Sequence, residues 1–192
     1  MPLTLPSAPC PHCTGDGLPP FHRVVALGVL DGPLRSVIHR AKYENRWPLG
    51  EFLAEELLRQ TDCQTLLAAA DVIVPVPLHP SRQRERGYNQ AEMIARRLHS
   101  GRTRLAAVRQ RDTQTQALLP SRAQRNENVK DAFALIDPVT VAGKNVVLVD
   151  DVMTTGATLV SLGRLMRAAK PAALSAIVVA VADPKGRAFE VI

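Results

Sequence analysis

The stretch from Val146 to Thr158 constrains this chain more than any other part of it. Val146-Val147-Leu148-Val149 is uniformly apolar, the pattern of a short strand buried on both faces of a parallel sheet. Two acids, Asp150 and Asp151, stand at its carboxyl end, and the hydroxyl-rich turn Thr154-Thr155-Gly156-Ala157-Thr158 follows. Thr158 to Ala169 reads as a helix and Ser175 to Ala182 as the next strand. A strand, a helix and a second strand in succession predict parallel pairing through a right-handed crossover. In such sheets a ligand binds beyond the carboxyl ends of the strands, where the acids and the turn lie.

The remainder of the chain fits the same architecture. Val24–Leu30 reads as a strand, and Gly32-Pro33 opens a helix with Leu34, Val37, Ile38 and Ala41 on one face. Glu51–Ala70 reads as a longer helix, with Thr61-Asp62 as the point where it can break. Val72–Pro77 is a β-branched strand, Ser81–Gly87 a basic loop, and Tyr88–Leu98 a helix. Leu105–Val108 and Phe133–Ile136 read as short strands around a long polar loop with a short helix, residues 109–128. The expected fold class is α/β, a central and mainly parallel sheet flanked by helices. Residues 1–22 form an irregular appendage and residues 23–192 the domain.

Composition narrows the class. With 46% hydrophobic residues and only seven aromatics, the core must be aliphatic. The longest uncharged apolar stretch, Pro171–Ala182, is about two-thirds of the roughly 18 residues a membrane helix needs, so no membrane insertion is expected. No basic, apolar leader precedes Arg23, and three cysteines do not make a disulfide framework, so a cytoplasmic chain is the simplest expectation. The net charge is +6, but residues 81–125 alone carry +8, from eleven Arg and three acids. Arginine favours bidentate phosphate contacts, so a polyanionic partner and a merely solvated basic face both fit this span.

The turn after the acids has a definite chemistry. Gly156 permits a tight backbone turn, and the amides of residues 154–158 at a helix start favour an anion. The hydroxyls of Thr154, Thr155 and Thr158 can donate to phosphate oxygens. Asp150 and Asp151 would repel a phosphate, so they suit another part of the ligand, either vicinal sugar hydroxyls or a hydrated Mg²⁺. A ribose 5-phosphate satisfies both requirements. A capped helix with two exposed acids would use the same residue types. Cys10-x-x-Cys13 has the spacing of a zinc half-site, with His12 and His22 nearest, and Cys63 reads as a buried small apolar residue. His39, His79 and His99 read as structural or surface residues.

Val147 to Thr158 resembles the 5-phosphoribosyl-1-pyrophosphate (PRPP) motif of type I phosphoribosyltransferases. Further segments narrow the resemblance to the ComF family of phosphoribosyltransferase-like competence proteins. They are Asp31-Gly32-Pro33-Leu34-Arg35 through Ala41-Lys42-Tyr43, and Val74-Pro75-Val76-Pro77-Leu78 through Arg86-Gly87-Tyr88-Asn89-Gln90. Arg111, Thr113, Gln116 and Arg125-Asn128-Val129 before Ala132-Phe133 complete them. The resemblance implies a type I phosphoribosyltransferase fold and a transferase whose acceptor it does not specify. It also implies that Asp150 and Asp151 hold the ribose hydroxyls and that residues Thr154, Thr155, Gly156, Ala157 and Thr158 hold the 5-phosphate. Ser81, Arg82 and Arg86 would face the pyrophosphate, Arg111, Thr113 and Gln116 would belong to a mobile lid, and Mg²⁺ would accompany PRPP.

Members that act on 6-oxopurines usually carry an acid at the position of Thr154, which argues against that substrate class here. Many ComF relatives resemble carriers of an N-terminal four-cysteine zinc site, of which Cys10 and Cys13 would be one pair. A role in natural transformation is implied, with single-stranded DNA and a competence helicase as partners. A non-catalytic DNA- or helicase-binding module and a nucleobase salvage enzyme are the alternatives.

Overall fold

The computed structural model describes residues 20–43, 46–111 and 131–182. Four strands form the central sheet: β1 (Arg23–Val29), β2 (Val72–Pro75), β5 (Asn145–Met153) and β6 (Ala173–Val181). Their order is β1-β6-β5-β2 and every pairing is parallel. β3 (Ala107–Arg109) and β4 (Phe133–Leu135) form a separate antiparallel pair. The helices are α1 (Gly32–Tyr43), α2 (Trp47–Leu58), α3 (Thr61–Ala69), α4 (Pro80–Arg86), α5 (Gln90–His99) and α6 (Ala157–Ala168).

The sheet is covered on both faces, and the two-residue period of β5 shows how. Val146 and Leu148 join one apolar cluster with Leu159, Leu162 and Met166 of α6 and with Phe133 of β4. Val147 and Val149 join the other, with Ile38 of α1, Leu53 and Leu57 of α2, and Ile94 and Leu98 of α5. β6 divides likewise, Leu174, Ala176 and Val178 against Ile177 and Val179. Each Val, Leu or Ile so buried contributes about 1.5–3 kcal/mol of transfer free energy. A strand loaded on both faces has no solvent side, which is why its sequence shows no alternation.

Three details differ from the sequence reading. The span Glu51–Ala70 is two helices, because Gln60 adopts an extended conformation between α2 and α3. The break is satisfied locally: Gln64 Nε2 donates to the Leu58 carbonyl at 2.7 Å, and Gln60 Nε2 to Leu27 of β1 at 3.3 Å. The basic segment expected as a loop is the helix α4. His79 Nδ1 accepts from the Ser81 amide at its start, Pro80 occupies the first turn, and Gly87 (φ 79°) closes it. β5 also runs on through Met153, so the acid doublet lies inside the strand rather than after it.

Cys63 lies fully buried in α3, and burial pushes its thiol up to about 12, which leaves it unreactive at neutral pH. Thr113, Gln116 and most of the expected polar loop 109–128 lie outside the described residues, as do Cys10 and Cys13.

Candidate functional site

β2 ends beside Val149 of β5, four residues before β5 itself ends: Pro75 pairs with Val149, and the Val76 amide donates to the Val149 carbonyl at 2.8 Å. Beyond β5 the chain turns through Gly156, whose φ of 76° is left-handed backbone that a side chain would strain, and enters α6 at Ala157. Thr155 supports the turn, its hydroxyl oxygen accepting from the Ala157 amide at 3.4 Å. A shallow depression opens here, lined by Asp150, Val152, Met153, Thr154, Gly156, Ala157, Thr158 and Leu159. One carboxylate and the start of a three-turn helix therefore face the same space.

The two acids have different surroundings. Asp150 lies on the α6 side, and Oδ1 accepts from the Asp151 amide at 2.9 Å. Burial, with the Asp151 carboxylate adding, pushes its carboxyl up to about 7. Lys42, the Asp151 amide and Arg109 of β3 oppose that rise without cancelling it. The Arg109 guanidinium is steadied over the Phe133 ring, 5.4 Å from its centroid. Asp151 is paired with Lys42, Nζ to Oδ2 at 2.9 Å.

Of the remaining expected site residues, Ser81, Arg82 and Arg86 lie on α4, just past the end of β2. Ser81 contacts His79 Nδ1 at 2.8 Å, Arg82 reaches Glu85 at 3.5 Å, and Arg86 donates to Gln90 Oε1 at 3.4 Å. Asn89 fixes the turn into α5, donating to the Val76 carbonyl at 3.1 Å and accepting from the Ala91 amide at 3.0 Å. The Tyr88 hydroxyl donates to the Ala41 carbonyl, so the α4–α5 turn is tied to the last turn of α1, one residue from Lys42. Arg111 is exposed just beyond β3.

The sequence reading assigned no role to Lys42, Arg109, Tyr88 or Asn89. Lys42 sits in the last turn of α1, where a cation suits the helix dipole, but nothing local couples it to an acid 109 positions later. Among the described residues no group of three His, Cys, Asp or Glu could hold a metal unaided, and no helix is long and apolar enough to cross a membrane.

Comparison with known proteins agrees with this arrangement. A family model described as "Phosphoribosyl transferase domain" matches residues 45–191. DNA utilization protein YhgH of Escherichia coli K12 is 36% identical over 176 residues, covering 86% of this chain and 74% of that protein. Competence protein F of Haemophilus influenzae is 33% identical over 157 residues, covering 78% and 68%. Competence protein ComFC of Bacillus subtilis is 34% identical over 110 residues, covering 54% and 42%. On the extent of these matches, and with an α/β fold whose parallel strands end at the expected turn, the chain belongs to the ComF family of phosphoribosyltransferase-like proteins.

Proposed function

We propose that the depression at the end of β5 binds a 5-phosphorylated ribose, with PRPP as its activated form, and that the chain acts as a phosphoribosyltransferase. The observation that carries this reading is the lining itself: Asp150 shares one space with Thr154, Gly156, Ala157 and Thr158. The amino end of α6 favours an anion, and a carboxylate favours hydroxyl donors. A sugar phosphate offers both groups on one molecule.

In this reading residues 154–158 hold the 5-phosphate and so fix C1 of the ribose. Departure of pyrophosphate takes the electron pair of the C1–O bond, leaving positive charge on the sugar and negative charge on the leaving group. Ser81, Arg82 and Arg86 on α4 would stabilise the latter, and the segment with Arg111, Thr113 and Gln116 would exclude water. The residues present suit the Mg²⁺ that the resemblance implies. Asp150 is a hard oxygen donor whose charge its neighbours leave under-compensated, and pyrophosphate would bring the other ligands. Bound there, the ion would neutralise charge on the leaving group.

Relatives named for competence and for DNA utilization extend the proposal to a role in DNA uptake and use. Calorimetric titration with PRPP and Mg²⁺ tests the site. Saturable heat is expected from the wild type and none from Asp150→Asn/Asp151→Asn. No heat from the wild type, or equal heat from both, rejects the reading. A panel of nucleobases with pyrophosphate release as the readout tests salvage of a base. The eleven arginines of residues 81–125 favour a second reading, a module that contacts single-stranded DNA or a helicase. Oligonucleotide binding that weakens steeply with salt would support the DNA arm, and a flat response would remove it.

A further inference from the structure

We propose that Gln90 is a positioning residue, which holds the Arg86 guanidinium at the end of α4 ready for the anionic leaving group of the ligand. The inference rests on the sugar-phosphate reading above and deepens it at the pyrophosphate end. Three observations carry it.

The first is a buried amide that the fold does not satisfy. Gln90 opens α5 and is 3% exposed. Its Oε1 accepts from Arg86 at 3.4 Å, whereas its Nε2 is buried without a hydrogen-bond partner. A guanidinium only donates, so the amide oxygen must face Arg86 and the nitrogen is the orphan. The Tyr88 hydroxyl lies near Gln90, but it donates to the Ala41 carbonyl and leaves Nε2 unsatisfied. An orphaned buried donor costs stability, and an apolar side chain of similar length would not incur that cost. Packing therefore does not explain an amide at this position, and its grip on Arg86 does.

The second is the setting of Arg86. α4 buries no residue, so apolar packing does not fix its arginines. A long cationic side chain loses rotamer freedom when it meets an anion, and a partner that holds it beforehand lowers that cost. α5 can supply such a partner because it is itself anchored, through buried Ala91, Ile94, Ala95 and Leu98.

The third is placement. Asn89, the residue before Gln90, donates to the Val76 carbonyl, and the Val76 amide donates to Val149, the residue before Asp150. The start of α5 is thus tied to the end of β2, beside the strand that carries the acid doublet. Arg86, gripped from this point, stands between a rigid frame and the exposed side of α4.

The test is calorimetry with PRPP and Mg²⁺, and separately with ribose 5-phosphate, on wild type, Gln90→Met, Arg86→Met and the double variant. Thermal denaturation of each protein accompanies it. Gln90→Met removes both polar atoms and nearly keeps the side-chain volume. It should melt at or above the wild-type temperature. It should also weaken PRPP about fivefold, as loss of one hydrogen bond does. Its affinity for ribose 5-phosphate, which has no leaving group, should stay within about twofold of wild type. The double variant should bind PRPP no more weakly than Arg86→Met, because Gln90 acts through Arg86.

Wild-type PRPP affinity in Gln90→Met overturns the inference while leaving the proposed function intact. So does a lowered melting temperature or a failure to fold, either of which makes the amide a structural member. Equal losses for the two ligands, or a double variant whose loss is the product of the single losses, overturn it as well. Absence of binding by the wild type overturns the proposed function and this inference with it.

Discussion

Two strand–turn–helix units lie side by side in this sheet and solve different problems. In β5–α6, a nine-residue strand, buried over Val146–Val149, carries two acids in its second half and leads through a left-handed glycine into a three-turn helix. In β2–α4, a four-residue strand leads through prolines to a seven-residue helix with three arginines and no buried residue. The first unit is shaped by backbone: its anion preference comes from where amides point, and its carboxylate is enclosed. The second is shaped by charge on long side chains. The comparison teaches that a ligand with two anionic ends can be held rigidly at one and neutralised more loosely at the other. Under the proposed function, the sugar phosphate would lie at α6 and the leaving group at α4.

The largest effect expected from breaking this comparison is at Asp150. Asp150→Asn should weaken ribose 5-phosphate or PRPP binding about 100-fold, as loss of charge-assisted hydrogen bonds does. The same change should stabilise the unliganded protein in alkaline solution. Folding raises this carboxyl from an ordinary 3.8 to about 7, so between those values the native state holds a proton that the unfolded chain has released. That contribution to stability is therefore fully present in the acid part of the window and is lost as pH climbs through about 7. Denaturation across pH 4–8 should show wild type losing stability and Asp150→Asn staying flatter, a gap of at most about 4 kcal/mol at pH 8. Parallel curves would show that Asp150 is not under this strain.

Sharpening the other side of the comparison, Arg82→Gln/Arg86→Gln should weaken PRPP about tenfold and leave ribose 5-phosphate nearly unchanged, since only PRPP carries the leaving group. Equal losses for the two ligands would dissolve the division between α4 and α6. A smaller effect, on stability, is expected at Gly156, where φ is 76°. Gly156→Ala should cost about 1–2 kcal/mol in chemical denaturation, because the left-handed backbone strains any Cβ. A neutral result would mean that the turn relaxes. Smallest is Tyr88→Phe, which removes one hydrogen bond to Ala41 and should cost about 1 kcal/mol of stability, read from the same denaturation curves.

The two units were also unequally legible in the sequence. β5–α6 was readable because its determinants are contiguous: apolar run, acids, hydroxyls, glycine and helix follow one another within a few residues. α4 was misread as a loop because a helix with no buried face leaves no apolar period to detect. Its signals are the His79-Pro80 start and the Gly87 stop, which are capping chemistry rather than hydropathy. The break between α2 and α3 was visible only as a weak point, since the side-chain amides of Gln60 and Gln64 decide it through tertiary and local contacts. The different surroundings of the two acids were hidden altogether. They depend on which face of a buried strand each residue takes and on Lys42 arriving from α1, and neither appears in local spacing.

A crystal structure with ribose 5-phosphate and Mg²⁺ tests the central claim most directly. The account predicts the phosphate within hydrogen-bond distance of the 154–158 amides and the ribose hydroxyls or the cation on the acid doublet. A phosphate seated on α4, or a sugar held away from the acid doublet, would contradict it.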